Sequence, residues 1–535
     1  MRTRGYVAVL MTLAVGAQAC GSDGGPPTAA APDALVTDDM VVTRTHEAPY
    51  LHVDGDDPDT VYLSESELQS GDCRLYVSTD RGQSWTVEEN TLDSPVQTDK
   101  PEGAPQAPEE APHLNCSLGR AGSQNIRTEL TQSPDGTLYY LFHANNSEEE
   151  PSRSVLLGRS SDGGRSWETT VIDDGRESAP REVEVNFQQH MAIDPDDPKQ
   201  IYVMWRRSQA GEDPRPPTRP YMAVSEDGGV TFSDPFQMLD INPGFDGPRP
   251  IVVDERLFAF YRESAPRTED GPPQDTKLFV NTSTDQGRTW GEPALIASQL
   301  DASEPIPLYD REEGRFHVVW HDNRTGDLDV YYSNSGDGAE WSEPVRLNDD
   351  ELDNDIGQYY PQISQSPGGR LDVAWYDYRN DPGPPPAPEE PDEPLGLGSN
   401  LGTLQSVYYT ASVDGGATWS DNVQMNDSPI DRSVGTWNEQ YFVVVPVSIA
   451  SWDDRALVAW SDTRFGTVAT GAQDIFTGAV TTDGAAGADD NSVVAQAVAI
   501  AGAVLVGAGL ALLAAVALMR RSRRSAEGGG DVTGP

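Results

Sequence analysis

The apolar residues of this chain come in short runs that recur along its length. Seven such runs are separated by polar stretches rich in Gly, Pro and Asp, and six of the seven end on an aromatic residue. Runs this short, bounded by turn-forming residues, predict buried β-strands rather than helices. They lie at residues 61–63, 138–142, 201–205, 257–261, 316–320, 371–375 and 456–460. The pattern indicates an all-β chain built from repeats of one unit.

Each apolar run keeps the same neighbours. A more polar first strand precedes it, and a third strand, a tight turn and a closing strand follow it. The third strand also occurs seven times, the last at residues 474–480, yet only six turns and six closing strands are found. Residues 39–45 resemble the closing strand at 344–348, so we expect them to pair with residues 474–480. This predicts a β-propeller of seven four-stranded blades, closed by its N-terminal strand, with six blades as the alternative.

The turns between third and closing strands share the motif Ser/Thr-x-Asp-x-Gly-x-Ser/Thr-Trp. In such a turn Gly takes a positive φ, the Asp carboxylate accepts hydrogen bonds from turn amides, and the aromatic ring packs between neighbouring sheets. We therefore assign these aspartates a structural role. They are Asp80, Asp162, Asp227, Asp285, Asp337 and Asp414, of which Asp337 lies in a degenerate copy where Gly336 intrudes before the aspartate.

The six turns resemble the Asp-boxes, also called bacterial neuraminidase repeats, of the sialidase superfamily. The resemblance implies a β-propeller of exo-α-sialidase type. In those enzymes three arginines hold the sialic acid carboxylate, a tyrosine activated by a glutamate is the nucleophile, and an aspartate is the acid and base. The family's first arginine lies in an Arg-Ile-Pro-type motif near the start of the domain. This chain reads His46-Glu47-Ala48-Pro49-Tyr50 there, and its nearest analogue, Arg249-Pro250-Ile251, falls in the fourth repeat.

Candidate catalytic residues come from the first strands of the later repeats. Glu439 and Tyr441 lie in the last of them, and Glu304 could pair with Tyr359 or Tyr360. None of these residues is positioned by a motif. A catalytic site of sialidase type would require three inward arginines beside a Tyr–Glu pair.

A second motif lies at the opposite end of the repeats from the Asp-box turns. Three second strands continue as Trp-x-Asp-x-Arg. One interpretation is a ring that binds an acidic or polyhydroxylated sugar, because guanidinium binds carboxylate through two parallel hydrogen bonds. The other, which the repetition favours, is that each aspartate pairs with an arginine and stabilises the rim. The candidate ligand-binding residues are Arg206, Arg207, Arg249, Arg262, Asp322, Arg324, Asp377, Arg379, Asp462 and Arg464.

The chain is strongly acidic, with 37 Lys and Arg against 87 Asp and Glu and a net charge of −50. Such a surface repels nucleic acid and anionic lipid, which argues against both as ligands. One cluster of carboxylates could hold Ca²⁺ through oxygen ligands, but it lacks the spacing of an EF-hand loop. It comprises Asp349, Asp350, Glu351, Asp353 and Asp355. We predict a solvated acidic loop here and no metal or cofactor, with Ca²⁺ as the alternative.

The two ends of the chain predict export and membrane attachment. Residues 1–19 have the charged start, apolar core and Ala17-Gln18-Ala19 site of a signal peptide, and Cys20 would be lipidated if it is a lipoprotein signal. We assign residues 20–36 to a flexible linker, 37–483 to the propeller and 484–492 to a juxtamembrane linker. Residues 493–519 are uncharged and long enough to cross a bilayer, and the arginines of the tail at 520–535 place it in the cytoplasm. This predicts a single-pass cell-membrane protein with an extracytoplasmic propeller.

The remaining cysteines, Cys73 and Cys116, then form a pair in an oxidising compartment. Such a pair predicts a disulfide across the acidic, Pro-rich loop between them.

Two functions from different classes are consistent with this sequence. The favoured one is a binding module for a glycan or protein ligand, displayed outside the membrane, with its ligand at the end opposite the Asp-boxes. The alternative is a retaining exo-α-sialidase acting on terminal sialic acids. The missing arginine motif favours the first, and the sequence leaves open whether the chain is an enzyme.

Overall fold

The computed structural model describes most of the predicted propeller. The described residues are 35–36, 40–44, 47–66, 72–87, 114–115, 128–145, 153–174, 183–210, 218–243, 247–263, 276–299, 302–352, 354–381, 404–432, 446–466 and 473–481. Within these ranges the regular structure is all β, and no helix is long and apolar enough to cross a membrane. The proposed signal peptide at 1–19, Cys20, Cys116 and the proposed span at 493–519 lie outside the described residues.

The first half of the chain forms two N-terminal strands and four blades. The N-terminal strands are β1 (Leu35–Val36) and β2 (Met40–Arg44). Blade 1 contains β3 (Glu47–Val53), β4 (Val61–Ser66), β5 (Asp72–Ser78) and β6 (Thr86–Val87), with β7 (Leu114–Asn115) on β5. Blade 2 contains β8 (Glu129–Gln132), β9 (Leu138–Asn145), β10 (Arg153–Ser160) and β11 (Glu168–Asp173). Blade 3 contains β12 (Val183–Ile193), β13 (Ile201–Ala210), β14 (Thr218–Ser225) and β15 (Phe236–Gln237). Blade 4 contains β16 (Arg249–Val253), β17 (Arg256–Glu263), β18 (Thr276–Ser283) and β19 (Ala294–Gln299).

The second half forms three further blades. Blade 5 contains β20 (Ile306–Asp310), β21 (Arg315–Asp322), β22 (Asp329–Ser335) and β23 (Val345–Arg346). Blade 6 contains β24 (Gln358–Gln365), β25 (Leu371–Asp377), β26 (Leu404–Ser412) and β27 (Val423–Gln424), with β28 (Ile430–Asp431) on β26. Blade 7 contains β29 (Ser448–Trp452), β30 (Arg455–Asp462) and β31 (Asp474–Thr481).

The N-terminal strand supplies the missing fourth strand of blade 7. β2 pairs antiparallel with β31, with Met40 opposite Thr477 and Arg44 opposite Asp474. β1, which we had assigned to the linker, extends the same edge with Leu35 opposite Thr481. The predicted ring of seven four-stranded blades is confirmed, and the six-bladed alternative is wrong.

The first strand of each blade faces the central channel. These innermost strands contact one another in ring order, β3, β8, β12, β16, β20, β24 and β29, and β29 contacts β3 to complete the circle. Because the strands within a blade are antiparallel, all seven innermost strands begin at one end of the ring and finish at the other. Side chains near their starts therefore gather around one mouth of the channel.

The core lies between neighbouring blades and is built largely from the second strands. Four of these strands contain a tryptophan with no exposed surface, namely Trp205, Trp320, Trp375 and Trp460. Replacing a fully buried tryptophan with alanine costs about 3–5 kcal/mol. The apolar runs seen in the sequence are therefore the main source of packing between blades.

Candidate functional site

The Asp-box turns are closed networks of local hydrogen bonds. In the second copy the Ser160 hydroxyl donates to Asp162 at 2.8 Å and accepts from the Gly164 amide at 2.9 Å. The Asp162 carboxylate also accepts from the Ser166 amide at 2.9 Å and from its hydroxyl at 2.5 Å. The Ser166 hydroxyl, together with the Ser166 amide and Ser160, lowers the pKa of Asp162 to about 2 although partial burial opposes this. The carboxylate is held as an acceptor within its own turn.

The glycine of each box also packs against the preceding blade. Gly164 has a φ of 89°, and a Cβ there would clash with Leu75 of blade 1. The equivalent glycines meet Leu457, Leu157, Met222, Phe258 and Tyr332, each from the third or second strand of the blade before. A glycine is therefore required by both conformation and space, and the box joins two blades.

The fifth box differs from the sequence prediction. It begins at Ser335 and lacks one residue between Asp337 and Gly338, so no glycine is inserted before the aspartate. Asp337 accepts from the amides of Ala339 and Glu340, at 2.8 Å and 3.0 Å. Glu340 stands where other copies have Ser or Thr, so the hydroxyl bond is missing.

The boxes and the turns between first and second strands share one end of the ring. Arg81 in the first box pairs with Asp59 at 2.6 Å and with Asp454 at 3.2 Å, and these aspartates lie in the first turns of blades 1 and 7. We call this the box end. The opposite end, here called the mouth end, carries the starts of the innermost strands and the Trp-x-Asp-x-Arg motifs.

All three Trp-x-Asp-x-Arg motifs form the same closed pair. The Arg324, Arg379 and Arg464 guanidinium groups donate to Asp322, Asp377 and Asp462 at 2.6, 2.8 and 2.6 Å. Each aspartate has no exposed surface and also accepts from the tryptophan Nε1 two residues earlier, at 2.7 to 3.1 Å. Each guanidinium lies 4.1–4.2 Å from the centre of an aromatic ring of the third strand. In all three motifs the arginine therefore pairs with the aspartate of the same motif, as expected if the motif stabilises the rim.

The arginines of blades 3 and 4 have varied surroundings. Arg207 pairs with Asp173 and lies 3.9 Å from the centre of the Tyr221 ring. Arg206 is buried, and Arg262 donates to the carbonyl of Ala302 at 3.2 Å. Arg249 pairs with Glu304 at 3.3 Å.

Five polar side chains from five consecutive blades meet at the mouth end of the channel. They are Tyr50, Glu129, His190, Arg249 and Glu304, which we call the channel cluster. The Glu129 carboxylate lies 3.2 Å from His190 Nδ1 and accepts from the Met191 amide at 3.3 Å. Arg249 and Glu304 form the ion pair described above, with side chains 19% and 6% exposed.

The electrostatics of the cluster link Tyr50, Glu129 and Arg249. Burial raises the pKa of Glu129 to about 7, although the Arg249 charge and the Met191 amide oppose the shift. Burial, and next the negative charge of Glu129, raise the pKa of Tyr50, while Arg249 lowers it. A carboxyl group with a pKa near neutrality can gain or lose a proton under physiological conditions.

Irregular backbone brings further side chains to this end. The ladder between β12 and β13 shifts between Phe187 and His190, where Gln188 has a φ of 50°. The ladder between β24 and β25 shifts between Tyr359 and Gln362, where Tyr360 has a φ of 54°. Non-glycine residues in this conformation are uncommon and occur often at functional sites.

The predicted catalytic residues fall in different places. Glu304 belongs to the channel cluster, with Arg249 as its ion-pair partner, and Tyr360 lies in the β24 irregularity beside His321. Glu439 and Tyr441 lie outside the described residues. The sequence analysis did not identify Tyr50, Glu129 or His190 as site residues. Their position on the innermost strands of three consecutive blades was the only available signal.

The carboxylate cluster of blade 5 is held by protein donors. Asp350 accepts from Arg346, Asn348, Asn354 and Gln358 at 2.7 to 3.1 Å. Asp349 accepts from Arg379 and the Asn422 amide at 2.6 and 2.9 Å, and Asp353 lies outside the described residues. Within the described ranges no group of His, Cys, Asp and Glu side chains could hold a metal ion. Cys73 lies opposite Leu114 in the β5–β7 pair.

Comparisons with known proteins confirm the resemblance to sialidases. No family model matches the chain. A sialidase from Micromonospora viridifaciens is 28% identical over 261 residues, which covers 43% of this chain and 38% of that protein. This chain therefore spans well under half the length of the curated relative that it matches.

Solved structures resemble the chain only at a coarse level. A Hadza microbial sialidase has a TM-score of 0.40 and 16% identity, over 66% of this chain and 65% of that one. A Trypanosoma rangeli sialidase in complex with sialic acid has a TM-score of 0.40 and 13% identity, over 66% and 54%. A polysaccharide lyase, an ulvan lyase, has a TM-score of 0.45 and 11% identity, over 81% and 94%, in its complex with -[GlcA(1-4)Rha3S]-.

Proposed function

We propose that this sialidase-like propeller binds a glycan in the mouth of its central channel, at the end opposite the Asp-boxes. The observation that carries the proposal is the channel cluster, in which five blades each contribute one polar side chain to a single place. Repeats that serve only the fold present the same residue types from one copy to the next, as the six boxes and the three rim motifs do. Five side chains of four different types at one mouth are typical of a binding site.

A sugar fits the chemistry of this cluster. Glu129 and Glu304 can accept hydrogen bonds from sugar hydroxyls, Arg249 can donate, the Tyr50 hydroxyl can do both, and the His190 ring offers a further polar partner. Arg249 could also bind a sugar carboxylate, in exchange with Glu304, because guanidinium pairs with carboxylate in a bidentate geometry. The rim arginines are less suitable, because each is held by a buried aspartate.

The coupling of Tyr50 to Glu129 favours hydrolysis as a second candidate function. In a retaining mechanism Tyr50 would attack the anomeric carbon while Glu129 takes the phenol proton, and the glycosidic bond would break as the aglycone leaves as an alcohol, protonated by water. Water would then hydrolyse the bond between the sugar and Tyr50 and restore the phenol. One arginine, Arg249, is seen beside this pair, whereas the sialidase mechanism uses three. We therefore place binding before catalysis.

We also propose that the propeller is displayed outside the cell membrane, held by residues 493–519. The signal-like N-terminus and the arginines after residue 519 support this arrangement.

Both functions can be tested with one set of variants. The purified full chain would be applied to a glycan array that includes sialosides, uronic-acid-terminated glycans and neutral oligosaccharides, and assayed with a fluorogenic sialoside. We expect selective binding, weakened roughly tenfold or more in Arg249→Ala because a charged hydrogen bond is lost. Arg81→Ala at the box end is the matched control and should bind as the wild type does.

The outcomes separate binding from catalysis. Turnover by the wild type that is abolished in Tyr50→Phe, with glycan binding retained, would establish hydrolysis. Binding without turnover supports the module alone. Failure of the wild type to bind any glycan, or equal loss of binding in Arg81→Ala and Arg249→Ala, would contradict the proposal.

A further inference from the structure

Four aromatic rings form a cluster between blades 5 and 6 at the mouth end. The His321 ring lies 5.4 Å from that of Tyr359 and 5.6 Å from that of Tyr360, both edge to face. Tyr359 also lies 5.5 Å from Tyr378, which is buried behind it. Tyr359 and Tyr360 themselves are only partly buried, so the cluster presents aromatic surface to solvent.

The backbone is shaped to present these two tyrosines. Tyr360 has a φ of 54° and its amide donates to His321 Nδ1 at 3.2 Å. Gly357 precedes them, and a Cβ at that position would clash with the Tyr359 ring. Tyr360 also packs against the core between blades 6 and 7. A non-glycine residue in this strained conformation is uncommon and is found often at functional sites.

The aromatic cluster is joined directly to the channel cluster. The Ser303 amide donates to the His321 carbonyl at 2.9 Å, and the His321 amide donates to the Ser303 hydroxyl at 3.0 Å. Glu304, the partner of Arg249, is the next residue. A ligand that extends from the channel cluster toward blade 6 would therefore meet the two tyrosines.

We propose that Tyr359 and Tyr360 form a second sugar subsite, which stacks on the residue next to the sugar held by the channel cluster. The inference rests on the proposed glycan-binding function and extends it from one sugar to an oligosaccharide. The apolar C–H face of a pyranose packs against an aromatic ring, whereas its hydroxyls need polar partners at the edge. The polar channel cluster would bind the hydroxyls of one sugar, and the aromatic cluster would pack against the C–H face of the next.

The experiment compares a single sugar with an oligosaccharide that contains it. Isothermal titration of the purified full chain would use N-acetylneuraminic acid against 3′-sialyllactose, and glucuronic acid against a glucuronic-acid-terminated disaccharide. We expect the longer ligand of at least one pair to bind roughly tenfold more tightly, as one or two aromatic contacts allow. Tyr360→Ala and Tyr359→Ala should abolish that difference and leave the affinity for the single sugar unchanged, whereas Tyr360→Phe should retain it.

The matched control is Tyr309→Ala, which removes a partly buried ring from the box-end half of innermost strand β20, beside Phe316. It should lower the melting temperature without changing the ratio of the two affinities. If the tyrosine variants weaken both ligands equally, or neither, the second subsite is overturned while the channel site stands. If the wild type binds none of the four sugars, the proposed function fails and the subsite fails with it.

Discussion

At the scale of single residues, Glu129 combines the features expected of a carboxyl group in a binding or catalytic site. It is largely buried, it contacts His190, and it shares its surroundings with Tyr50 and Arg249. Burial dominates, so the pKa of Glu129 rises from 4.5 to about 7. Above neutral pH such a group lowers the free energy of unfolding, because the ionised carboxylate is better solvated in the unfolded chain.

This cost predicts a pH dependence of stability. A raised carboxyl pKa means that the folded state holds the proton more tightly, so its contribution is fully present below pH 4.5 and is lost as the pH rises toward 7. Glu129→Gln, which cannot ionise, should therefore gain melting temperature relative to the wild type between pH 5 and pH 8, measured by calorimetry on the full chain. The exposed control Glu343→Gln should follow the wild type at every pH. Parallel curves for wild type and Glu129→Gln would refute this assignment.

At the scale of elements, the two kinds of turn at opposite ends of the blades differ in what they bury. None of the Asp-box carboxylates is buried, and they bond within the turn, as Asp414 does. The rim aspartates are completely buried and need their arginines to compensate the charge. Burial raises the pKa of Asp377, although Arg379 opposes the shift. A rim pair is therefore harder to break than a box.

This difference predicts an order of stability losses. Arg379→Ala leaves the Asp377 carboxylate buried without its counter-ion, and should cost about 3–5 kcal/mol of unfolding free energy. Asp414→Ala removes local turn bonds from Ser412 and Thr418 and should cost roughly 1–3 kcal/mol. Denaturant unfolding of the full chain measures both losses. A rim loss equal to or smaller than the box loss would contradict the structural role of the Trp-x-Asp-x-Arg motif.

Ring closure is also a property of one element. β2 covers the outer edge of β31, so its loss would leave backbone donors and acceptors exposed along blade 7. We expect a full chain lacking residues 35–44 to melt at a lower temperature and to aggregate on heating, as light scattering would show. A deletion of equal length at residues 387–396, within the Pro- and acid-rich insertion of blade 6, is the control. Equal melting temperatures for the two deletions would show that β2 is dispensable.

At the scale of the whole molecule, the number of blades could be read from the sequence, whereas only Arg249 and Glu304 of the channel cluster were among the predicted site residues. Seven apolar second strands and a spare closing strand at residues 39–45 are local patterns that survive in any repeat. Tyr50, Glu129, His190 and Arg249 are 50 to 80 residues apart and share no motif. Only ring closure makes them neighbours, and the shifts in the β3, β12 and β24 ladders depend on packing that no local pattern encodes.

The course of β1 and β31 determines how such a ring would stand on a cell. Leu35, where the described chain enters blade 7, pairs with Thr481, where the chain leaves it. Thr481 also pairs with Arg455, which directly follows the first turn of blade 7. Both Leu35 and Thr481 therefore lie at the box end. Residues 482–492 can extend at most about 40 Å. If residues 493–519 cross the membrane as we propose, the boxes face the lipid and the channel opens away from it.

Labelling of intact cells with a bulky maleimide reagent can test this orientation. Asn380→Cys introduces a cysteine at an exposed mouth-end position, and Glu226→Cys introduces one in an exposed box turn. On intact cells the first cysteine should react faster than the second. Detergent should make the two rates equal. Wild-type cells give the background, and equal rates on intact cells would contradict the orientation. The boxes would then form the membrane-facing side of the molecule. Ligands in the medium or on a neighbouring cell would reach the channel without passing between the protein and the membrane.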